Sequence, residues 1–275
     1  MVKTALANIS KLELAKSLGL SISSLYYQPK RPAIDEEVKH QIESVQVDHP
    51  AYGHKRIALA LKLNKKRIRR VMKKFGLKPY RRKSKKPTKK ADLNKPPTKY
   101  LNLIKALIIN HPGQVWVTDF TYIKFHGKFI YLATVIDLFT REVVGFSVSR
   151  FHNRFLVMSA VLNAFENYQS PEIIHSDQGS EYDSQDFTDL VENLKVKISM
   201  SKKGSPWENG HQESFFGHLK DEGVDLNRFE TDGELLEELY KMIYYYNHLR
   251  IHTKLKMPPN QYKQNYLQKD IKSIY

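Results

Sequence analysis

The spacing of apolar residues divides this chain into a helical first part and a mixed second part. Up to residue 78, apolar side chains recur at intervals of three and four, which is typical of helices that bury one face. The pattern predicts helices within residues 10–27, 34–48, 54–61 and 65–75. The first part is therefore predicted to be all-α.

From about residue 101, short apolar and aromatic runs alternate with amphipathic segments, a texture typical of strands joined by helices. Strands are predicted at residues 115–122, 128–138, 142–149, 172–175 and 196–200, and helices at 153–168, 184–194, 206–221 and 234–249. This order predicts an α/β fold, with a mixed five-stranded sheet and helices, preceded by all-α helix-turn-helix segments. After residue 249 the chain shows few periodic signals.

These elements predict five consecutive segments. They are a helix-turn-helix-like N-terminal segment (1–32), a basic helical DNA-binding domain (33–78), a basic proline-rich linker (79–109), an α/β core (110–230) and a C-terminal helix with a tail (231–275). An ordinary helical hairpin is the alternative for the first segment, because paired short helices are common in proteins of many functions.

Charge is distributed very unevenly along the chain. The formal net charge is +16, and 18 of the 45 Lys and Arg residues fall between Gly53 and Lys90, where there is no Asp or Glu. Such a block indicates a polyanionic partner, and double-stranded DNA is the expected one; a solvated face without a partner is the alternative. The predicted DNA-contacting residues in this region are Arg56, Lys66, Arg67, Arg69, Arg70, Lys73, Lys74, Arg81 and Arg82.

The composition also excludes several classes of protein. The chain has no cysteine, so a disulfide scaffold, a thiolate zinc site and a cysteine nucleophile are excluded. No apolar run approaches the length of a membrane span, and the N-terminus has no apolar signal-peptide region. We therefore expect a soluble, cytoplasmic protein with no membrane partner.

Three carboxylates are the strongest candidates for chemistry. Asp119 lies within a β-branched and aromatic run, where Asp is unusual, and Asp177 follows a short apolar strand. Glu213 lies on a predicted helix, with 35 residues between it and Asp177. His175 and Asn209 are candidate supporting residues; direct chemistry is the alternative for His175, and packing or a DNA contact is the alternative for Asn209.

A convergence of these three carboxylates predicts a metal site. Like charges held close together repel one another and need cations. An all-oxygen ligand set with open positions suits Mg²⁺ or Mn²⁺, and two such ions can activate an attacking oxygen and stabilise the leaving oxygen of a phosphodiester. The basic region would supply DNA as the matching substrate.

Three motifs at the expected spacing carry a resemblance to a known family. WVTDFTY (116–122), HSDQGSEY (175–182) and ENGHQESFFGHLK (208–220) resemble the integrase core of DDE transposases. The chain as a whole resembles the OrfB product of insertion sequence family three, which is related to retroviral integrases. Gly210 and His211 depart from the Asn-Ala pair of many members, a difference that concerns substrate contacts and not the chemistry.

This resemblance implies an RNase H-like fold for residues 110–230 and a catalytic role for Asp119, Asp177 and Glu213. It implies Mg²⁺-dependent cleavage at the ends of an insertion sequence, followed by attack of the freed 3′-OH on target DNA. Lys220 occupies the position of the family's basic residue near the active site. The implied partners are terminal inverted repeats, target DNA, the product of an upstream OrfA frame or a fusion with it, and at least one further copy of this chain on DNA. The expected location is the bacterial cytoplasm, in association with the nucleoid when the protein is bound to DNA.

Two other functions remain as alternatives. A catalytically silent DNA-binding regulator would account for the basic region but has no need of three carboxylates. A standalone RNase H-type nuclease would account for the carboxylates but not for the basic region.

Overall fold

The computed structural model describes residues 10–25, 31–81, 98–202 and 210–274. The first of its helices are α1 (Lys11–Ser17), α2 (Ile22–Leu25) and α3 (Arg31–Asp48), followed by α4 (His54–Ala60) and α5 (Lys65–Lys74). Local sequence signals explain where two of these helices begin. Ser10 and Glu13 form a capping box at α1, and the Asn64 side chain accepts a hydrogen bond from the backbone N–H of Lys66 at α5.

Helices α3, α4 and α5 form one helical unit around a small apolar core. Val38 and Ile42 of α3, Ile57 of α4, and Ile68 and Val71 of α5 are all buried in it. Full burial of each such side chain contributes about 1.5–3 kcal/mol, so these few residues are enough to hold three short helices together. The predicted helical unit thus has a core of its own.

The second part of the chain forms the predicted mixed sheet. Strands β1 (Val115–Phe125), β2 (Lys128–Asp137) and β3 (Val143–Ser149) are antiparallel neighbours. Strands β4 (Ile173–Ser176) and β5 (Lys197–Met200) extend the sheet in parallel on the other side of β1, which gives the order β3-β2-β1-β4-β5. Residues 126–127 join β1 to β2, and both have positive φ, as a two-residue hairpin turn requires.

Helices cover both faces of the sheet. One face packs against α6 (Arg154–Asn167) and α7 (Gln185–Asn193), and the other against α8 (Gly210–Glu222) and α9 (Asp232–His248). The alternation along β1 sets this division, because successive side chains point to opposite faces of a strand. Val115 and Val117 enter the core shared with α8 and α9, while Trp116 enters the core shared with α6 and α7.

Gly145 explains how closely α6 approaches the sheet. A Cβ atom at this position of β3 would lie 2.5 Å from the carbonyl oxygen of Ala160 and 2.6 Å from the Cβ of Ala164. Helix α6 therefore lies directly on the backbone of β3, and only glycine fits between them.

The chain between the predicted linker and the sheet differs from expectation. The predicted basic proline-rich linker (79–109) includes residues 98–109, but these residues pack on the core. The Leu103 N–H donates to Ser199 Oγ at 2.9 Å, and Ile104, Leu107 and Ile109 contact the apolar cluster beneath α8 and α9. Their aliphatic side chains pack on a part of the apolar core that would otherwise be uncovered, so residues 98–109 belong to that core. Residues 82–97 of the predicted linker lie outside the described residues.

The C-terminal tail also differs from expectation, because it contains a helix, α10 (Pro259–Ile274). The rings of Tyr262 and Tyr266 lie one helical turn apart and contact Phe139 with centroids 5.5 and 4.9 Å away. Lys263 Nζ donates to the buried carboxylate of Glu142 at 3.1 Å. These contacts stabilise a helix whose own apolar content is low, which is why its periodicity was weak.

The helical unit docks on the core through buried polar contacts. His49 Nδ1 lies 2.8 Å from the hydroxyl of Tyr245 on α9, and Arg56 donates to Glu222 on α8 at 3.0 Å. Tyr52 OH accepts a hydrogen bond from the N–H of Ile251, just after α9, at 2.6 Å. Across the described residues, no helix is long and apolar enough to cross a membrane.

Candidate active site

The sheet register brings Asp119 and Asp177 to the same level. Val117 of β1 pairs with His175 of β4 in the parallel direction, and each aspartate follows two residues later. Strand β4 ends at Ser176, so Asp177 is the first residue beyond it and is exposed, whereas Asp119 continues along β1 and is partly buried. Two carboxylates therefore lie side by side at the carboxyl edge of two neighbouring strands.

Backbone N–H groups orient both carboxylates. Asp119 Oδ1 accepts from the N–H of Phe120 at 2.8 Å, and Asp177 Oδ1 accepts from the N–H of Gly179 at 2.9 Å. Gly179 also leaves space beside the carboxylate, since a Cβ there would lie 3.0 Å from Asp177 Oδ1. The turn after β4 thus fixes the second carboxylate.

Glu213 is brought to these strands by the residue before it. Gln212 is fully buried, and its Nε2 donates to the carbonyl oxygens of Val117 at 2.7 Å and Thr134 at 3.2 Å. Thr134 Oγ1 donates to Gln212 Oε1 at 2.9 Å, and Thr134 is the register partner of Asp119 on β2. The first turn of α8 is therefore attached to the strand that carries Asp119, with Glu213 exposed beside it.

Sequence reasoning did not single out Gln212. A signal was present, because Gln212, Phe215, Phe216 and Leu219 share the buried face of α8 at helical spacing. A polar amide in an otherwise apolar stripe is costly unless its hydrogen bonds are made, so it indicates a specific internal partner.

The acidic groups at this edge act on one another electrostatically. Burial, then the charge of Asp177 and, more weakly, that of Glu213, raise the pKa of Asp119 well above its usual value of 3.8; the Phe120 N–H and Lys220 oppose this rise. Burial and the same pair of aspartates raise the pKa of Tyr182. Negative charge at this edge of the sheet is thus poorly compensated by the protein itself.

The carboxylate oxygens suit a hard divalent cation, although they do not yet surround a single position. Carboxylate oxygens are the ligands that such cations prefer, and a cation would relieve the repulsion that raises the pKa of Asp119. Within the described ranges, no three acidic or histidine side chains come close enough together to share one metal ion. The three carboxylates are neighbours whose side chains would have to move together to hold the ion.

Lys220 lies beside this edge, two turns along α8 from Glu213. Its Nζ donates to Thr121 Oγ1 at 2.6 Å and lies 4.8 Å from the centroid of the Tyr122 ring. Burial lowers its pKa, and the nearby charge of Asp119 partly restores it. The ammonium group is therefore held close to the carboxylates.

His175 is buried behind Asp177, whereas Asn209 lies outside the described residues. His175 Nδ1 lies 2.8 Å from Ser199 Oγ on β5, so the imidazole joins two strands whose ends border the site. Tyr182 is buried nearby, with its hydroxyl 3.4 Å from Thr118 Oγ1. These contacts fit a supporting position for His175.

Three of the predicted DNA-contacting residues are engaged elsewhere. Arg56 is buried and bonded to Glu222, which removes it from the surface available to DNA. Arg70 and Lys74 donate to the buried carboxylate of Asp35 at 2.6 and 3.1 Å. They therefore join α5 to α3 within the helical unit, even though their side chains are partly exposed. A buried carboxylate needs cationic partners, and residue spacing in the sequence did not identify Asp35 as the partner of Arg70 and Lys74.

The rest of the predicted set lies mostly on one side of α5. Lys66, Arg69 and Lys73 are exposed, and Arg67 is partly exposed. Arg81 is exposed as well, with its guanidinium 3.6 Å from Glu222. Arg82 lies outside the described residues.

Comparison with known proteins agrees with this geometry. Two family models, both described as integrase core domain, match residues 109–206 and 194–259. The transposase for insertion sequence element IS904 of Lactococcus lactis is 35% identical over 257 residues, which cover 88% of this chain and 100% of that protein. The InsK protein of insertion sequence element IS150 of Escherichia coli K12 is 30% identical over 268 residues, which cover 93% of this chain and 94% of that protein.

A solved structure supports the fold. One chain of the simian T-cell lymphotropic virus intasome in complex with PP2A regulatory subunit B56 gamma aligns with a TM-score of 0.50 and 17% identity, over 81% of this chain and 74% of that chain. Fold and site together define an integrase-core protein, related to the retroviral integrases. More specifically, this chain belongs to the DDE transposases of insertion sequence family three, and it is an enzyme that cleaves and transfers DNA strands.

Proposed function

We propose that Asp119, Asp177 and Glu213 form the catalytic and metal-binding site, and that the reaction is Mg²⁺-dependent cleavage at the ends of an insertion sequence followed by 3′-OH strand transfer. The observation that carries this proposal is the position of the three carboxylates at one edge of the sheet, where their side chains would have to move together to share an ion. Parallel register aligns the two aspartates, and the Gln212 contacts attach Glu213 to the strand of Asp119.

Each residue has a definite task in this proposal. The three carboxylates would hold Mg²⁺ or Mn²⁺, two ions per site, and these ions would supply activation of the attacking oxygen and stabilisation of the leaving oxygen. Lys220, fixed by Thr121 and Tyr122, offers an ammonium group to the phosphate that flanks the scissile bond. His175 supports the turn that carries Asp177 through its contact with Ser199.

The DNA partner is held by the exposed basic side of α5. Lys66, Arg67, Arg69 and Lys73 contact phosphates of a terminal inverted repeat, with Arg81 as a further contact. Strand transfer joins two DNA ends to one target, so the acting form contains at least two copies of the chain, and the product of an upstream OrfA frame is a further partner.

The proposal is tested by replacing one carboxylate at a time. Asp119→Asn, Asp177→Asn and Glu213→Gln are each expected to lower Mg²⁺-dependent cleavage of a labelled terminal duplex by at least about 10³-fold, because each removes a metal ligand. Binding of the same duplex should be retained, since the basic side of α5 is untouched.

Glu166→Gln is the matched control, because Glu166 is an exposed carboxylate on α6, away from this edge of the sheet. It should cleave at the wild-type rate. Near-normal cleavage by any of the three site variants would refute its assignment. Normal DNA binding without cleavage by the wild type, with and without the OrfA product, would favour a DNA-binding regulator.

A further inference from the structure

A basic groove lies between the helical unit and the segment that follows α9. Its volume is about 390 Å³. One wall is formed by Lys55 of α4 and by Lys65 and Lys66 of α5, and the other by Thr253 and Lys256. Four lysines line this groove, and among the described residues that line it there is no carboxylate.

Hydrogen bonds and apolar packing hold residues 251–257 beside the helical unit. The N–H of Ile251 donates to Tyr52 OH at 2.6 Å, and Ile251 packs against the core of the helical unit. The N–H of His252 donates to the carbonyl oxygen of Met257 at 3.0 Å, which closes the segment into a turn. These contacts therefore fix both ends of the turn that carries Thr253 and Lys256.

Backbone geometry places Lys256 at this turn at some cost. Its φ is +64°, a conformation that side-chain-bearing residues adopt rarely, and its N–H donates to the carbonyl oxygen of His252 at 2.8 Å. Lys256 therefore closes the turn on the side that borders the groove.

The chemistry of the groove matches a DNA backbone. Lysines around one groove repel each other, and a chain of regularly spaced phosphates is the ligand that relieves such repulsion. Helix α5 begins at the groove, capped by Asn64, so the positive end of its dipole adds to the same field.

We propose that residues 251–257 complete, with α4 and α5, a basic groove that binds the backbone of duplex DNA, in which Lys256 contacts a phosphate. This inference rests on the proposed function and deepens it, because it assigns the segment after α9 to DNA binding.

The test is the salt dependence of binding to a labelled terminal duplex by the full chain. Lys256→Gln is expected to bind more weakly and to reduce the slope of log K against log salt by about 0.9, the value for one lost phosphate contact. Lys195→Gln is the matched control, because Lys195 is exposed and has φ +58°, close to that of Lys256. It should leave the slope unchanged.

A second arm separates this inference from the proposed function. Arg69→Gln/Lys73→Gln tests the α5 surface alone, because both residues are exposed on α5 and neither lines the groove. If this variant weakens binding while Lys256→Gln keeps the wild-type slope, the groove inference is overturned and the proposed function stands. If neither variant changes binding, the proposed DNA surface itself fails.

Crosslinking provides a test that does not depend on removing charge. The chain has no cysteine, so Thr253→Cys introduces a single thiol that can carry a photoreactive aryl azide. The groove predicts efficient crosslinking of Thr253→Cys to the duplex and none from Lys195→Cys. Equal crosslinking from both positions, or none from Thr253→Cys, would overturn the inference.

Discussion

Gln212 shows how a buried polar residue can position a reactive neighbour. Its amide fills both roles of a hydrogen-bonding group, donating to the carbonyl oxygens of Val117 and Thr134 and accepting from Thr134 Oγ1. Because each buried bond left unmade would cost about 1–3 kcal/mol, the first turn of α8 has one preferred position on the sheet. This position of the first turn places Glu213 beside Asp119.

Replacing Gln212 by the similarly sized Met should therefore uncouple Glu213 from the sheet. We expect Gln212→Met to lower cleavage about 10–100-fold, because a misplacement of about 1 Å is enough for such a loss, while binding of duplex DNA stays unchanged. Single-turnover cleavage and equilibrium binding measure the two effects separately. Gln185→Met, on the exposed side of α7, is the control. Wild-type cleavage by Gln212→Met would show that these bonds do not position Glu213.

Replacement of Asp119 is expected to raise the stability of the metal-free protein and to lower its activity. Its pKa is raised by burial and by the charges of Asp177 and Glu213, so its ionised form destabilises the metal-free protein at neutral pH. The sign follows from the direction of the shift: above its unfolded pKa of about 4, a carboxyl with a raised folded pKa reduces stability as pH rises. The reduction is complete once pH exceeds the folded pKa.

Asp119→Asn should consequently raise the melting temperature of the metal-free enzyme by about 2 °C or more at pH 7, while it abolishes cleavage. The gain should shrink as pH falls toward 4, because the wild-type carboxyl is then protonated as well. Thermal denaturation in the presence of a chelator measures both. A variant less stable than the wild type at pH 7 would contradict this account of the Asp119 environment.

At the scale of elements, α8 serves both the candidate site and the contact with the helical unit. Its first turn carries Glu213, and its last residue, Glu222, accepts hydrogen bonds from Arg56 at 3.0 Å and from Arg250 at 2.7 Å. Burial raises the pKa of Glu222, but hydrogen bonds from His218 and Arg250 and the charges of Arg250 and Arg56 outweigh that effect and lower it. The carboxylate therefore stays charged inside the contact.

Glu222→Gln should destabilise the protein by about 3–5 kcal/mol, because it leaves two buried guanidinium groups without a charged partner. Chemical denaturation followed by circular dichroism measures this loss. Since the pKa of Glu222 is lowered, its contribution is present above pH 4.5 and decreases as pH falls below that value. Glu237→Gln breaks an exposed pair with Lys241 and should change stability little; equal losses in both variants would contradict the role of Glu222.

On the scale of the whole molecule, polar contacts hold the helical unit against the core. The Tyr52, His49 and Arg56 contacts lie together, close to the C-terminal halves of α8 and α9. The exposed residues of α5 and the carboxylate edge therefore belong to one docked structure. If both contact DNA as proposed, the tertiary fold itself sets their relative position on the duplex.

Much of this molecule could be predicted from residue patterns. Alternation in strands and helical spacing predicted the mixed sheet and its surrounding helices to within a few residues, because those periods reflect which side chains must leave water. The three carboxylate motifs predicted the family, which the comparisons confirmed. Helix α10 and the packing of residues 98–109 were missed, since both depend on surfaces that exist only after the core has formed.

Local chemistry along the chain determined the elements, the acidic residues of the candidate site and the region of positive charge. Only the tertiary structure decided which charges are free to act. It paired Arg56 with Glu222 and Arg70 with Asp35, it used Gln212 to attach Glu213 to β1, and it brought Lys256 beside α5. The physical reason is that residue type fixes a group's charge and hydrogen-bonding capacity, whereas burial and the partners supplied by distant elements decide whether that capacity is consumed internally or remains available for DNA.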